Sequence, residues 1–279
     1  MDLVVQAPVI GAAELTQIAA LCGSQSVRSI EGGGPQAYRL ARIESRAGVA
    51  DFCAAARIDC AFVPPDLVRD RVGLVAMDMD STLIAIECID EIADFAGRKS
   101  EVAAITASAM RGDLDFRQSL EQRVALLAGL PEDSLLRVYD ERLKLSPGAE
   151  RMIAGFKAVG AKVLLVSGGF TFFTERLRAR LGLDATIANT LELADGKLTG
   201  RLVGRIVDAK VKADRFAELR AQSVTPGRIA LAIGDGANDL PMLRIADVSV
   251  AYRAKPLVRA EAMYAINYCG LDAVLNFFA

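Results

Sequence analysis

A parallel α/β sheet, with a helical insertion after its first strand and a small α+β unit ahead of it, is the fold that the sequence predicts. Three observations point to it. From Val72 onward, short apolar runs alternate with segments of helical period. A long helical stretch, from about 87 to 145, separates the first of those runs from the second. Residues 1 to about 70 show an alternation of their own, with "VPPDLVRDR" as the linker, because Pro64 and Pro65 interrupt both periodicities. The expected units are therefore 1–70, a small α+β sandwich, and 71–279, the parallel sheet with its insertion.

In the first unit, "AAELTQIAALCG" reads as helix and "QSVRSIEGGG" as a short strand running into glycines. "AYRLARIES" alternates like a strand, "AGVADFCAAARI" is helical, and "CAFVP" is a further short strand. In the second, "VGLVAM" is a buried strand. "ECIDEIADFAG" places Ile89, Ile92, Ala93 and Ala96 at helical spacing, with Gly97 as a stop. "DFRQSLEQRVALLAG" does the same with Phe116, Leu120, Val124 and Leu127, and another helix covers the region from Leu135 to Leu143. Strands follow at "AKVLLV", "RIALAI" and "DVSVAY", with a hairpin about Asp195-Gly196. Strand–helix alternation implies right-handed crossovers.

Composition narrows the function. Hydrophobic residues make up 52% of the 279, enough for a proper core, and the net charge is −2 with no long basic run. A nucleic-acid partner is not expected. No apolar stretch approaches the ~20 residues of a membrane helix, and "MDLVVQAPVI" lacks the basic and apolar regions of a leader. The five cysteines, irregularly spaced and without a CxxC, read as reduced thiols of a cytoplasmic protein. There is no histidine, which removes histidine triads, phosphohistidine and histidine-bound zinc. Acid–base work must fall to carboxylates, lysine, tyrosine, cysteine or water, and a metal should be hard and oxygen-ligated.

Three strands end in polar groups where an open α/β sheet binds its ligands. The first supplies Asp78 and Asp80, the second Ser167 with Gly168 and Gly169, the third Asp235, Asn238 and Asp239. Each alone reads as an ordinary turn; all three at successive strand ends make a site. Residues i and i+2 of an extended chain face one side, so Asp78 and Asp80 can address one small site that Asp235 approaches from a neighbouring strand. Such a cluster calls for a cation, and Mg²⁺ suits it. Ser167 and the N–H groups after it can hold phosphate oxygens. A lysine should balance the charge, and "DAKVKADRF" offers Lys210 and Lys212.

"DMDSTL", "VSGGF" and "GDGANDLPML" resemble the signature segments of haloacid dehalogenase superfamily phosphatases. "DMDSTLIAIECIDEIA", "MRGDLDFRQSLEQRVALL" and "SPGAERMI" resemble the cap and substrate segments of its phosphoserine phosphatase branch. The resemblance covers about 72 to 279. It implies a HAD-like Rossmannoid sheet with a helical cap, and Mg²⁺-dependent hydrolysis of O-phosphoserine, the last step of serine biosynthesis. By its motifs Asp78 would be the nucleophile, forming an aspartyl phosphate, and Asp80 the general acid and base, kept protonated by the like charge of Asp78. Asp78, Asp80 (by its backbone carbonyl) and Asp235 would hold the metal. Ser167, Gly168 and a lysine would bind phosphate; alignment on "KADRF" favours Lys212 over Lys210. Asn238 would support the phosphate or the attacking water, and Asp239 would orient Lys212 or the metal waters. Glu87 would meet the substrate ammonium and Arg123 its carboxylate, with Phe116 as an apolar wall. Read as residues alone, Glu87 and Arg123 are exposed helix charges and Phe116 a core residue of the insertion.

The first 70 residues weakly resemble ACT domains, which leaves serine binding, homodimer formation or neither open for them. A sibling phosphatase or phosphotransferase acting on another small phosphomonoester is the alternative enzyme. A signalling receiver domain also clusters aspartates around magnesium, but lacks the DxD pair and the insertion. An amino-acid-responsive regulator acting through residues 1–70 is the third class.

Overall fold

The computed structural model describes residues 1–279, the side chain of Met110 apart. The chain opens with β1 (Asp2–Ala7), α1 (Ala12–Cys22), β2 (Ser26–Ser29), β3 (Gln36–Ala41), α2 (Val49–Ala55) and β4 (Asp59–Val63). The strands form one antiparallel sheet in the order β2-β3-β1-β4, the β-α-β-β-α-β arrangement of a split βαβ unit. Leu3 and Val5 face α1 and α2 with Ile18, Cys22 and Cys53, while Val4, Ala61 and Val63 face the rest of the molecule. β1 is thus buried on both faces. An apolar run without alternation is what such a strand looks like in sequence, and the sequence reading assigns no strand there.

β5 (Val72–Met77) starts the second sheet. The insertion follows as α3 (Cys88–Phe95), α4 (Lys99–Arg111), α5 (Phe116–Ala125) and α6 (Asp133–Arg137), and α7 (Ala149–Lys157) returns the chain. Then come β6 (Lys162–Phe170), α8 (Thr171–Leu181), β7 (Ala185–Ala194), β8 (Lys197–Val203), α9 (Ala209–Ser223), β9 (Ile229–Gly234), α10 (Leu240–Ile245), β10 (Val248–Tyr252), α11 (Pro256–Glu261) and β11 (Tyr264–Ile266). The seven strands lie in the order β11-β10-β9-β5-β6-β7-β8, parallel throughout except for the β7–β8 hairpin. This is the α/β fold that the sequence predicts, with the hairpin at its edge.

The two faces of the sheet sort by the period of two. Val75, Met77, Val163, Leu165, Leu231 and Ile233 point into one cluster. Leu74, Ala76, Leu164, Val166, Ala230 and Ala232 point into the other. With both faces covered, β5, β6 and β9 bring their carboxyl ends together at the middle of the sheet.

Candidate active site

The carboxyl ends of β5, β6 and β9 and the inner face of the insertion enclose a cleft of about 770 Å³. Asp78, Asp80, Glu87, Phe116, Arg123, Gly168, Asp235 and Asn238 line it. Ser167, Lys212 and Asp239 lie beneath, each fully buried. All eleven side chains and glycines singled out in the sequence therefore meet at one place.

Asp78 extends the β5 ladder by one bond, its N–H donating to the Ile233 carbonyl at 3.1 Å. Lys212 sits one turn into α9, whose start is fixed by Asp208 accepting from the Val211 N–H at 2.8 Å. Its ammonium donates to Asp78 Oδ1 at 2.7 Å and to Asp239 Oδ1 at 2.8 Å. Lys210, two residues earlier and so on the opposite side of the helix, is exposed and pairs with Asp214 at 2.8 Å. Asp239 uses its other oxygen to accept from the N–H groups of Asp235 (3.2 Å) and Gly236 (3.1 Å). It is thereby the keystone of the "GDGAND" turn.

Carboxylate oxygens of Asp78, Asp235 and Asp239 lie within 4.8 Å of one another. Asp80 turns its carboxylate the other way, Oδ1 accepting from the Cys88 N–H at 2.9 Å where α3 begins. Burial, then the Asp239 charge, pushes the Asp78 carboxyl well above the ordinary range against the pull of Lys212. Burial would lower the Lys212 ammonium, but Asp239 and Asp78 outweigh it and hold it above the ordinary lysine value. Asp235 is pushed up to about 6 by burial and then by Asp239. Asp80 rises to about 7, through burial first and the Glu87 charge second, opposed by the Cys88 N–H. The neighbour that favours its proton is thus Glu87, where the sequence reading named Asp78.

At the tip of β6, Ser167 Oγ accepts from the Gly169 N–H at 2.8 Å. A side chain at position 169 would place its Cβ 2.6 Å from Asp80 Oδ2 and 2.7 Å from Met79, so only glycine lets this turn approach the DxD loop. On the insertion, a capping box between Asp115 and Gln118 fixes the start of α5. Phe116 and Arg123, two turns apart, therefore share the face that looks into the cleft. Phe116 closes over Gly168. Glu87 precedes α3 and accepts from Ser81 Oγ at 2.8 Å; burial raises its carboxyl. Burial lowers the Arg123 guanidinium, with Asp90 and Glu87 opposing.

Five residues at the site carry no role in the sequence reading. Thr82 Oγ1 donates to Asp235 Oδ1 at 3.2 Å, and Ser81, at φ +55°, holds Glu87. Asn189 ties Gly168 O (2.7 Å) to the Val207 N–H (2.8 Å), and so the β6 turn to the approach of α9. Asp90 and Lys255 line the cleft. Two signals were available: Asp90 follows Glu87 by three residues on a helix start, and Lys255 stands at a fourth strand end. Asn189 has none, because its partners are distant in sequence.

The haloacid dehalogenase-like hydrolase family matches residues 75–244, and a second haloacid dehalogenase-like hydrolase pattern matches 212–278. A protein named phosphoserine phosphatase from Polaromonas sp. is 56% identical over 217 residues, 76% of this chain and 92% of that protein. A crystal structure described as a HAD family hydrolase from Salmonella enterica serovar Typhi superposes with a TM-score of 0.89 at 32% identity, over 100% of this chain and 99% of that one. A substrate-bound phosphoserine phosphatase structure superposes with a TM-score of 0.68 at 36% identity, over 75% of this chain and 99% of that one. With its DxD loop, its SGG turn and its GDGAND turn gathered at one cleft, the chain belongs to the haloacid dehalogenase-like hydrolases.

Proposed function

We propose that the chain hydrolyses O-phospho-L-serine to L-serine and phosphate through an aspartyl phosphate. One observation carries the reading: a buried Asp78–Lys212–Asp239 triad lies under a cleft whose insertion side carries Glu87 and Arg123. A phosphate end, an ammonium and a carboxylate each find a counterpart there.

In the proposed reaction Lys212 holds Asp78 Oδ1, which leaves Oδ2 to attack phosphorus. Asp80, with a carboxyl near neutrality, gives its proton to the departing serine oxygen and later takes one from the water that cleaves the acyl phosphate. Ser167 and the N–H groups of the β6 turn bind the phosphoryl oxygens, with Asn238 beside them. Arg123 and Glu87 orient the amino acid, and Phe116 walls the cleft. The insertion acts as a lid that keeps water out of the first step and admits one molecule to the second.

The Asp78 and Asp235 carboxylates are hard oxygen donors, and with Asp239 beside them the cluster holds more negative charge than Lys212 neutralises, which fits Mg²⁺. Asp239, whose oxygens go to Lys212 and to the Asp235 and Gly236 N–H groups, orients Lys212 or the metal waters. When bound, the cation would offset charge on the phosphoryl oxygens. The main-chain carbonyl of Asp80 completes the proposed ligands. The proposal places the enzyme in the cytoplasm, in keeping with five free cysteines and with no described helix long and apolar enough to cross a membrane. It takes residues 1–70 as a separate ACT-like domain and 71–279 as the phosphatase domain; a homodimer is the assembly that the ACT resemblance suggests. The test is phosphate release from a panel of phosphorylated metabolites, with magnesium and with EDTA. Phosphoserine should lead by a wide margin and EDTA should abolish turnover. Preference for another phosphomonoester would overturn the substrate assignment.

A further inference from the structure

Every side chain that lines the cleft lies beyond Val72, yet residues 1–70 grip one stretch of the main body next to the root of the insertion. The insertion leaves and rejoins the sheet through two short arms that pair with each other. Ile84 lies antiparallel to Leu145, the Ala85 N–H donates to Lys144 O at 2.9 Å, and the Ser146 N–H donates to Leu83 O at 2.9 Å. A second tie joins the insertion to the β7–β8 hairpin, where the Gly129 N–H donates to Leu198 O at 2.8 Å and the Glu132 N–H to Gly196 O at 2.9 Å. The ribbon is the tie that carries both chain crossings, so a swing of the insertion must bend it. The returning arm continues into Pro147, whose carbonyl accepts from the Leu271 N–H at 2.7 Å. The next residue, Asp272, pairs with Arg151 of α7 at 3.3 Å. Residues 271 and 272 are thus the floor under the returning arm.

The four-stranded sheet holds that floor from both ends. Asp59, the first residue of β4 and 2% exposed, accepts from three successive backbone N–H groups. Oδ1 takes Asn267 at 2.7 Å, and Oδ2 takes Tyr268 at 3.0 Å and Cys269 at 2.9 Å. Downstream, Arg39 donates to the carbonyls of Asn276 (3.3 Å) and Phe277 (3.0 Å), and Asn276 Nδ2 donates to Gln6 Oε1 at 2.8 Å. Between these points the glycine loop before β3 passes close to the floor. A Cβ at Gly34 would stand 2.7 Å from Arg151 Nη1 and 2.9 Å from Asp272 Oδ2. A buried carboxylate keeps its place only while its acceptors are filled, so Asp59 fixes position 267–269 as well as binding it.

We propose that the four-stranded sheet is a brace on the hinge of the insertion, and that Asp59 is its positioning residue. By fixing Asn267–Cys269 it holds Leu271 and Asp272 beneath Pro147, and so sets how readily the insertion swings. The inference rests on the reading of the insertion as a lid; it gives residues 1–70 a part in turnover that needs no ligand of their own.

Hydrogen exchange on the full chain, without substrate, tests it in Asp59→Asn and Arg39→Met. Asparagine offers an N–H₂ where the backbone N–H groups need an acceptor. Hydrogen bonds to a charged group contribute enough that losing one should speed local opening by about ten- to a hundredfold. Exchange should rise at 267–272 and also at the arms, 84–86 and 144–148, with β9 unchanged. kcat for phosphoserine and for p-nitrophenyl phosphate should shift together, since a hinge acts on both. Faster exchange confined to 267–272, with the arms and both kcat values as in the parent, would overturn the brace. If Asp59→Asn does not fold, Arg39→Met decides, because it removes the donors to the Asn276 and Phe277 carbonyls at the other end of the floor; unchanged arms in that variant overturn the proposal too. Failure of the parent to hydrolyse phosphoserine would refute the substrate assignment and leave the exchange result standing.

Discussion

Replacing Lys212 with methionine should separate the two lysines of "DAKVKADRF" by the size of the damage. Lys212 is 0% exposed and shared between two carboxylates at 2.7 and 2.8 Å. Methionine keeps most of the volume but leaves Asp78 and Asp239 facing each other across a dry site. Removing one partner of a buried pair costs about 3–5 kcal/mol, because a charge stays behind unpaired. The same change at Lys210 breaks only an exposed pair one turn apart, worth roughly 0.3–0.5 kcal/mol. Urea unfolding at pH 8 with EDTA should therefore show a large loss for Lys212→Met and almost none for Lys210→Met. The pH dependence follows from sign. Asp78 already has a carboxyl raised well above its ordinary value by burial and Asp239, and loss of the ammonium raises it further. A carboxyl with a raised folded pKa is a burden when ionised, and that burden lifts as the pH falls and the native state takes up the proton. The deficit of Lys212→Met should thus shrink between pH 8 and pH 5. Magnesium should recover part of it at pH 8 by binding the native state alone. Equal stability of the two variants at pH 8, or a deficit that grows towards pH 5, would refute the reading of Lys212 as the buried counter-charge.

Arg123→Lys should lower kcat/KM for phosphoserine far more than for p-nitrophenyl phosphate, because an ammonium cannot offer the planar fork a carboxylate accepts; equal losses would return Arg123 to a structural role. Asp78→Asn should form no phosphoenzyme with any substrate. Asp80→Asn should lose ~10²–10⁴-fold with phosphoserine, yet with p-nitrophenyl phosphate, whose leaving group needs little protonation, it should release one equivalent of nitrophenolate in a rapid burst. The label should map to Asp78 by intact mass and peptide analysis; a label on Asp80 would exchange the two roles.

What could be read from sequence, and what could not, divides by the range of the interactions. The strand tips were legible because each ends an apolar run of period two, and a polar residue in that place has only a few uses. Arg123 and Phe116 were legible as a pair because a helix sets them two turns apart on one face. β1 escaped because both its faces are covered, which erases the alternation that marks a half-buried strand. α4 was not separated from its neighbours for the opposite reason: "KSEVAAITASAMR" is rich in small and polar residues, and Val102 is its one core residue among those described.

Interactions between distant segments left no local trace at all. Asn189 joins residues 21 positions before it and 18 after it, and Thr82 meets Asp235 across 153; neither spacing belongs to any helix or strand. The same holds for the acidity of Asp80. Sequence put a like charge two residues away at Asp78, but the DxD loop turns Asp80 towards α3, where Glu87 is the neighbour that counts. Since Glu87 is also the group proposed to meet the substrate ammonium, one charge then serves two ends. Empty, it helps keep the acid protonated. With an ammonium bound, its field at Asp80 is weakened, which favours the ionised carboxylate. On the proposed reading the amino-acid end of the cleft and the acid thus share one charge, that of Glu87, without any contact to the phosphate.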